Sequence, residues 1–134
     1  FSTRERRPWI APQWQCSLHA YLGGIVRGLD GVALTVGGTA DHVHLLLSLK
    51  PTHTISDVVR ELKKASSVWA SENHERQFVW QEGYSIFSVS LSLCDVVKHY
   101  IDNQEEHHRR RDFRGELELL LKKHGIEFKP EYLE

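Results

Sequence analysis

Residues 39–49 contain the feature that most constrains this fold, because two histidines stand two residues apart inside an apolar run. Alternate side chains of a β-strand point to opposite faces. The run therefore predicts a strand with His42 and His44 on one face, beside Leu46 and Ser48. We expect the other face to lie against the core, because it carries only aliphatic side chains: Val43, Leu45, Leu47 and Leu49.

This histidine pair allows two interpretations. Two neutral imidazoles side by side on a rigid strand form a bidentate metal site. The same pattern also arises when an ordinary half-buried strand carries two histidines on its solvent face. A His-X-His motif alone does not decide between them, so the decision depends on the rest of the chain.

The residues before this run predict a helix and the first strand of a hairpin. From Gln13, apolar residues recur every three or four positions, as on an amphipathic helix that closes near Gly28. These apolar residues are Trp14, Leu18, Tyr21, Leu22, Ile25, Val26 and Leu29. Residues 32–36 alternate like a strand, and Gly37-Gly38 predicts a tight turn into the histidine strand, giving an antiparallel hairpin.

After the hairpin, helical and strand patterns alternate. The Thr-Ile-Ser-Asp pattern at Thr54 is typical of a helix N-terminus. Its apolar stripe is Ile55, Val58, Val59, Leu62, Ala65 and Trp69. The segments that follow predict a loop over 71–83, a third strand over 84–90, a helix over 92–108 and a last helix from Phe113. This order favours an α+β fold, with helices layered on a mainly antiparallel sheet.

Length and charge bound the function only loosely. A chain of 134 residues fits one domain, residues 1–134. The formal net charge of −1 gives no hint of a nucleic-acid partner, so any basic surface must be local. No apolar run approaches the roughly twenty residues of a membrane span and no leader segment opens the sequence, so we expect a cytoplasmic protein without a membrane partner.

Tyr100 and Gln104 form a second candidate set. They are four residues apart in the helix predicted over 92–108, so they lie on one face, one turn apart. One interpretation makes Tyr100 a core-edge aromatic residue and Gln104 a polar residue at the margin of the apolar stripe. The other brings an amide oxygen to the two imidazoles as a third metal ligand, while the phenol reaches the same centre.

These residues together resemble a known family. Asp41-His42-Val43-His44-Leu45-Leu46 resembles the His-hydrophobic-His motif of the single-tyrosine HUH transposases, and Tyr100-Ile101-Asp102-Asn103-Gln104 resembles their tyrosine motif. More narrowly, the chain is similar to the insertion-sequence-two-hundred-like transposases. Trp80-Gln81-Glu82-Gly83-Tyr84 agrees with that family as well, and the resemblance spans essentially the whole chain.

The resemblance implies a small ferredoxin-like domain that cuts and rejoins single-stranded DNA. His42, His44 and Gln104 would be ligands of Mg²⁺ or Mn²⁺, and Tyr100 would be the nucleophile. The catalytic unit would be a homodimer in which each site can combine the histidine pair of one subunit with the tyrosine helix of the other. The family pattern also places most of a first strand before Phe1, so we expect that strand to be incomplete in this sequence.

The resemblance further implies a hairpin-containing single-stranded DNA substrate. Basic residues are the candidate contacts to its phosphates. They are Arg4, Arg6, Arg7, Arg60, Lys63, Lys64, Arg109, Arg110 and Arg111. Basic residues on a helix flank, such as Arg60, are also common on an ordinary solvated face.

The implied chemistry is consistent with the residue types. A tyrosine hydroxyl with a pKa near 10 is a poor nucleophile at neutral pH, and a divalent cation can polarise and orient the scissile phosphate. Attack would leave a 5′-phosphotyrosine and a free 3′-hydroxyl. Imidazole ligands are equally compatible with zinc, so only the resemblance favours Mg²⁺ or Mn²⁺.

Three alternatives remain at this stage. A domesticated enzyme that acts on chromosomal palindromic repeats would use the same chemistry. A non-catalytic domain would bind palindromic DNA hairpins without a covalent adduct. A small zinc hydrolase would need a carboxylate base beside the histidines, and Asp41 is the nearest, but a strand would point it to the opposite face.

Overall fold

The structure, a computed structural model, describes residues 1–103 of the chain. The helices are α1 (Pro12–Gly28), α2 (Ile55–Asn73) and α3 (Cys94–Asp102), and the strands are β1 (Val32–Gly38) and β2 (Val43–Ser48). Short 3-10 turns occupy Arg4–Arg6 and Leu91–Leu93. The predicted last helix, Gln104 and the basic run at 109–111 lie outside the described residues.

Helix α1 confirms the predicted amphipathic helix. It begins at Pro12, a residue whose fixed φ angle and missing N–H suit the first turn of a helix. Four of its apolar side chains are buried, at intervals of four residues: Trp14, Leu18, Leu22 and Val26. The helix ends at Gly28, as the glycine pattern predicts.

Strands β1 and β2 pair antiparallel, which confirms the hairpin, but the predicted turn at Gly37-Gly38 is wrong. Both glycines belong to β1 and pair with His44 and Val43, so the turn lies over residues 39–42. These glycines are needed for close approach. A Cβ at Gly37 would lie 2.4 Å from the carbonyl oxygen of Ile101, and a Cβ at Gly38 would lie 2.1 Å from that of His42.

The two faces of the hairpin are covered by different helices. Aliphatic side chains of β2 pack into or against the core that α1 and α2 form, as the alternation predicts: Val43, Leu45 and Leu47. Helix α3 packs on the other face, where Ile101 approaches Gly37. The histidine face is therefore not a solvent face, and the interpretation of two ordinary exposed histidines is wrong for His42, which is 0% exposed.

Helix α2 begins at the predicted place and buries Val58 and Leu62 of the predicted stripe, while Trp69 packs against the core partly buried. Thr54 precedes it without a capping hydrogen bond from its side chain, and Ile55 is 44% exposed. The buried positions recur every four residues: Val58, Leu62, Ser66 and Ala70. Burial of Ser66 costs little, because its hydroxyl donates to the Leu62 carbonyl and accepts from the Trp80 indole at 2.9 Å.

The predicted third strand over 84–90 is wrong, because the structure assigns no strand to these residues. Paired strands lie about 4.8 Å apart. Here a cavity of about 750 Å³ is lined by β2 and by residues 83–89. The alternating pattern is present, but no strand lies close enough to pair with it.

The first residues lie between β2 and the segment at Trp80 and Gln81, beside this cavity. Phe1 exchanges backbone hydrogen bonds with Val43, and the Gln81 amide donates to the Ser2 carbonyl. Isolated bridges join Ser2 to His42 and Thr3 to Trp80. An antiparallel hairpin with helices on both faces confirms the α+β class. Within residues 1–103, no helix is long and apolar enough to cross a membrane.

Candidate functional site

His42 and His44 lie together at the start of β2. His42 forms the bridge with Ser2, and His44 pairs with Gly37. Their ring centroids are 5.0 Å apart with the planes at 77°. The strand period that places both rings on one face also places them close enough to share one ion.

The His42 ring is held by polar groups of the preceding turn. Its Nδ1 atom lies 2.7 Å from Oδ1 of Asp41 and 3.1 Å from Oγ1 of Thr39. The expectation that Asp41 points to the opposite face is wrong, because Asp41 lies in the turn before β2, where strand alternation does not apply. Its carboxylate is engaged with His42.

Tyr100 lies beside the histidine pair of its own chain. Its ring centroid is 6.2 Å from that of His44. The Tyr100 hydroxyl and Nε2 of His44 are both buried. The structure thus brings three of the four predicted site residues together within a single chain, although the resemblance allows the tyrosine helix to come from a second subunit.

Helix α3 is fixed against β1 at the residue pair that follows Tyr100. Thr35 donates a hydrogen bond to Asp102, and Lys98 donates another to the same carboxylate at 2.9 Å. These two hydrogen bonds lower the pKa of the Asp102 carboxyl below its ordinary value, and the bond from Thr35 has the larger effect. Together with the contact of Ile101 on Gly37, they set the position of Tyr100 over the sheet.

The donor set is compatible with a divalent ion. It offers two imidazoles with ring centroids 5.0 Å apart, and both His44 Nε2 and the Tyr100 hydroxyl are buried. Residues 1–103 contain no group of three or more His, Cys, Asp or Glu side chains that could hold a metal. A third protein ligand for His42 and His44 would therefore be of another residue type or lie beyond residues 1–103. Gln104, the predicted third ligand, lies outside the described residues.

The predicted DNA contacts differ in how accessible they are. Arg4 and Lys64 are exposed. Arg7 is paired with Glu5 at 3.2 Å, and Arg60 with Asp57 at 3.0 Å. Both of these ion pairs lie at the surface, so the guanidinium groups can exchange partners at little cost.

Lys63 differs from the other basic residues because it is partly buried and structurally engaged. Its ammonium donates to the carbonyls of Gln81 at 2.6 Å and Gly83 at 2.8 Å, and lies 5.6 Å from the Phe1 ring centroid. Burial lowers the pKa of Lys63. Lys63 thereby fixes the loop that precedes residues 84–90. The sequence pattern gave no indication of this role.

Gln81 connects these basic segments. The side-chain oxygen of Gln81 accepts a hydrogen bond from the Glu5 backbone amide at 3.1 Å. The backbone amide of Gln81 donates to the Ser2 carbonyl at 2.8 Å. The basic turn Arg4–Arg6 therefore lies next to the loop that Lys63 holds. The sequence shows Gln81 only as part of a resembling motif, and it gives no signal for the roles of Thr39, Asp41 or the Thr35–Asp102 pair.

Comparison with known proteins identifies the family. Residues 1–104 match the model of the family described as "Transposase IS200 like". The ISDra2 transposase TnpA of Deinococcus radiodurans is 34% identical over an alignment of 87 residues, and the match covers 60% of this chain and 61% of that protein. The match thus spans about three fifths of that relative.

A solved structure agrees with this result. The fold resembles the crystal structure of a candidate transposase from Deinococcus radiodurans R1, with a TM-score of 0.64 and 25% sequence identity. The similarity covers 78% of this chain and 85% of that one. Because the family model matches more than half of the sequence, the chain belongs to the IS200-like transposase family.

Proposed function

We propose that this protein cleaves and rejoins single-stranded DNA during transposition through a covalent link to Tyr100. The observation that carries the proposal is the position of Tyr100 beside the His42 and His44 pair in one chain, with ring centroids of Tyr100 and His44 6.2 Å apart. Membership of a transposase family supports DNA as the substrate class.

In the proposed step, the Tyr100 hydroxyl oxygen attacks the phosphorus of the scissile phosphodiester. The new O–P bond forms as the bond to the 3′-oxygen breaks. The proton lost by the phenol matches the proton gained by the leaving 3′-oxygen, which becomes a 3′-hydroxyl. The strand stays linked as a 5′-phosphotyrosine. A 3′-hydroxyl can attack this linkage in reverse, so rejoining needs no ATP.

His42, His44 and Gln104 are the proposed ligands of Mg²⁺ or Mn²⁺. The ion, when bound, would neutralise charge on the phosphate and make phosphorus more electrophilic. The residues of this chain position the reacting groups. The start of β2 and the residue before it hold the two imidazoles, and the contact of Ile101 with Gly37 holds the phenol beside His44.

The proposed substrate is single-stranded DNA that carries a hairpin. The exposed residues Arg4 and Lys64 offer sequence-independent contacts to phosphates. A homodimer is the proposed active unit, and the proximity of Tyr100 to His44 supports a state in which each chain completes its own site. A cytoplasmic location remains a prediction.

The engaged state of Asp41 argues against a zinc hydrolase. A hydrolase of this kind needs a carboxylate that can take a proton from water. The Asp41 carboxylate instead lies 2.7 Å from His42 Nδ1. A domesticated enzyme or a non-catalytic hairpin binder therefore remains the alternative to a mobile-element transposase.

An adduct assay tests the proposal. The full chain is incubated with pooled hairpin-containing single strands and Mn²⁺, denatured, and separated on a gel. We expect a protein–DNA adduct from the parent chain and from the control Tyr84→Phe, whose ring is 43% exposed, but none from Tyr100→Phe.

The same assay separates the alternatives. Hairpin binding without an adduct would favour the non-catalytic binder. An adduct that persists in Tyr100→Phe would show that the nucleophile is another residue. Loss of the adduct in His42→Ala and His44→Ala, with hairpin binding kept, is the result expected if these residues hold the metal.

A further inference from the structure

The turn between β1 and β2 holds a carboxylate against the buried His42 ring. Oδ1 of Asp41 lies 2.7 Å from His42 Nδ1, and Oγ1 of Thr39 lies 3.1 Å from the same nitrogen. The Thr39 hydroxyl also lies 3.3 Å from Asp41 Oδ1. The side chain of His42 is 0% exposed and that of Asp41 is 23% exposed. This is a buried contact with limited access to water.

The partners of Nδ1 determine which nitrogen of neutral His42 carries the proton. An ionised carboxylate can only accept hydrogen bonds, so Nδ1 must be the donor. The lone pair of the neutral ring is then on Nε2. A metal binds the nitrogen that has no proton, and the hydrogen bond at the other nitrogen also fixes the ring orientation.

Asp41 is itself held by the backbone around it. Its carbonyl accepts from the Thr3 amide at 2.8 Å and from the Thr3 hydroxyl at 3.2 Å. The Thr39 amide donates to the carbonyl of His42 at 3.1 Å. Because these backbone bonds do not involve the Asp41 side chain, the carboxylate can be removed while the turn keeps its supports.

We infer that Asp41 is a positioning residue that keeps His42 in the Nδ1–H tautomer and so presents Nε2 as the ligand nitrogen, with Thr39 as a second support of the carboxylate. The inference rests on the proposed function in so far as His42 binds a metal. Carboxylates in this position behind a ligating histidine typically contribute 10- to 100-fold to metal affinity.

The tautomer is measured directly by nitrogen-15 NMR of the histidine side chains in the metal-free full chain, at a pH where His42 is neutral. We expect the parent protein to show a protonated Nδ1 and an unprotonated Nε2. In Asp41→Ala we expect protonation of Nε2, at least in part, because Nδ1 has lost its carboxylate acceptor and the Thr39 hydroxyl beside it can donate as well as accept. An amide spectrum of each variant reports whether it is folded.

Metal affinity is measured in parallel by calorimetric titration with Mn²⁺ alone. We expect about 10- to 100-fold weaker binding in Asp41→Ala. Asp41→Asn keeps an acceptor oxygen and the shape of the side chain, so it should retain the tautomer and lose less affinity. Asp57→Asn, which removes an exposed carboxylate from α2, is the charge-matched control and should bind like the parent chain.

Two results would overturn the inference: an unchanged His42 tautomer in folded Asp41→Ala, or Mn²⁺ binding within twofold of the parent. Failure of the proposed function has a different signature. The parent chain would then bind no Mn²⁺ and form no DNA adduct, while the tautomer of His42 would still show whether Asp41 determines its state.

Discussion

Lys63 illustrates how the surroundings of one residue decide its role. The sequence groups it with Arg60 and Lys64 as a DNA contact on a helix flank. In the structure its ammonium is bound to two carbonyls of the Gln81–Gly83 loop, and burial lowers its pKa. Lys63 therefore contributes mainly to the stability of the fold, because its ammonium is already hydrogen-bonded within the protein.

Lys63→Ala is expected to lower the free energy of unfolding by about 2 kcal/mol, since hydrogen bonds that involve a charged group are worth roughly 1.5–3 kcal/mol. Urea denaturation, monitored by tryptophan fluorescence, measures this free energy of unfolding. Lys64→Ala, at an exposed neighbouring position, should change stability by less than about 0.5 kcal/mol. Equal effects in both variants would contradict the anchoring role of Lys63.

At the scale of elements, the position of α3 depends on one glycine in β1. An alanine at Gly37 would place Cβ 2.4 Å from the Ile101 carbonyl oxygen, so strand and helix would have to separate. Overpacking of this kind costs about 1–3 kcal/mol. Because Tyr100 precedes Ile101, the phenol would move away from His44 at the same time.

We therefore predict that Gly37→Ala lowers the melting temperature and reduces DNA adduct formation by at least tenfold, while the chain stays folded. Calorimetry and the adduct assay measure the two effects. The control is Gly24→Ala in α1, where a Cβ meets nothing within 4 Å, and it should be neutral or slightly stabilising. Full activity in Gly37→Ala would contradict the proposed role of this contact.

At the scale of the whole molecule, local sequence patterns predicted the secondary-structure elements better than they predicted which elements pack or pair together. The alternation of β2 predicted both of its faces, because strand geometry is local. The same alternation over 84–90 did not produce a strand, because pairing needs a partner that local sequence does not supply. The Gly37-Gly38 pair predicted a turn, but close packing of α3 is the reason for Gly37 and the close approach of the His42 carbonyl is the reason for Gly38.

The candidate site was likewise predicted only in part from the sequence. The spacing of His42 and His44 was sufficient to place both rings on one face, and the resemblance selected Tyr100. Their proximity is a tertiary result, since α3 must cross the sheet next to β1. The contact of Asp41 with His42 could not be predicted from strand period, because Asp41 lies in the turn over residues 39–42, where strand alternation does not apply.

Peptide mapping of the trapped adduct tests the central claim most directly. After trypsin and nuclease digestion, mass spectrometry locates the residual nucleotide. Cleavage after Lys98 and Arg109 yields a peptide in which Tyr100 is the only side chain with a hydroxyl group. We predict that the nucleotide is on this peptide, attached through its 5′-phosphate. A nucleotide on the neighbouring peptide that contains Tyr84, or attached through its 3′-phosphate, would contradict the proposed mechanism.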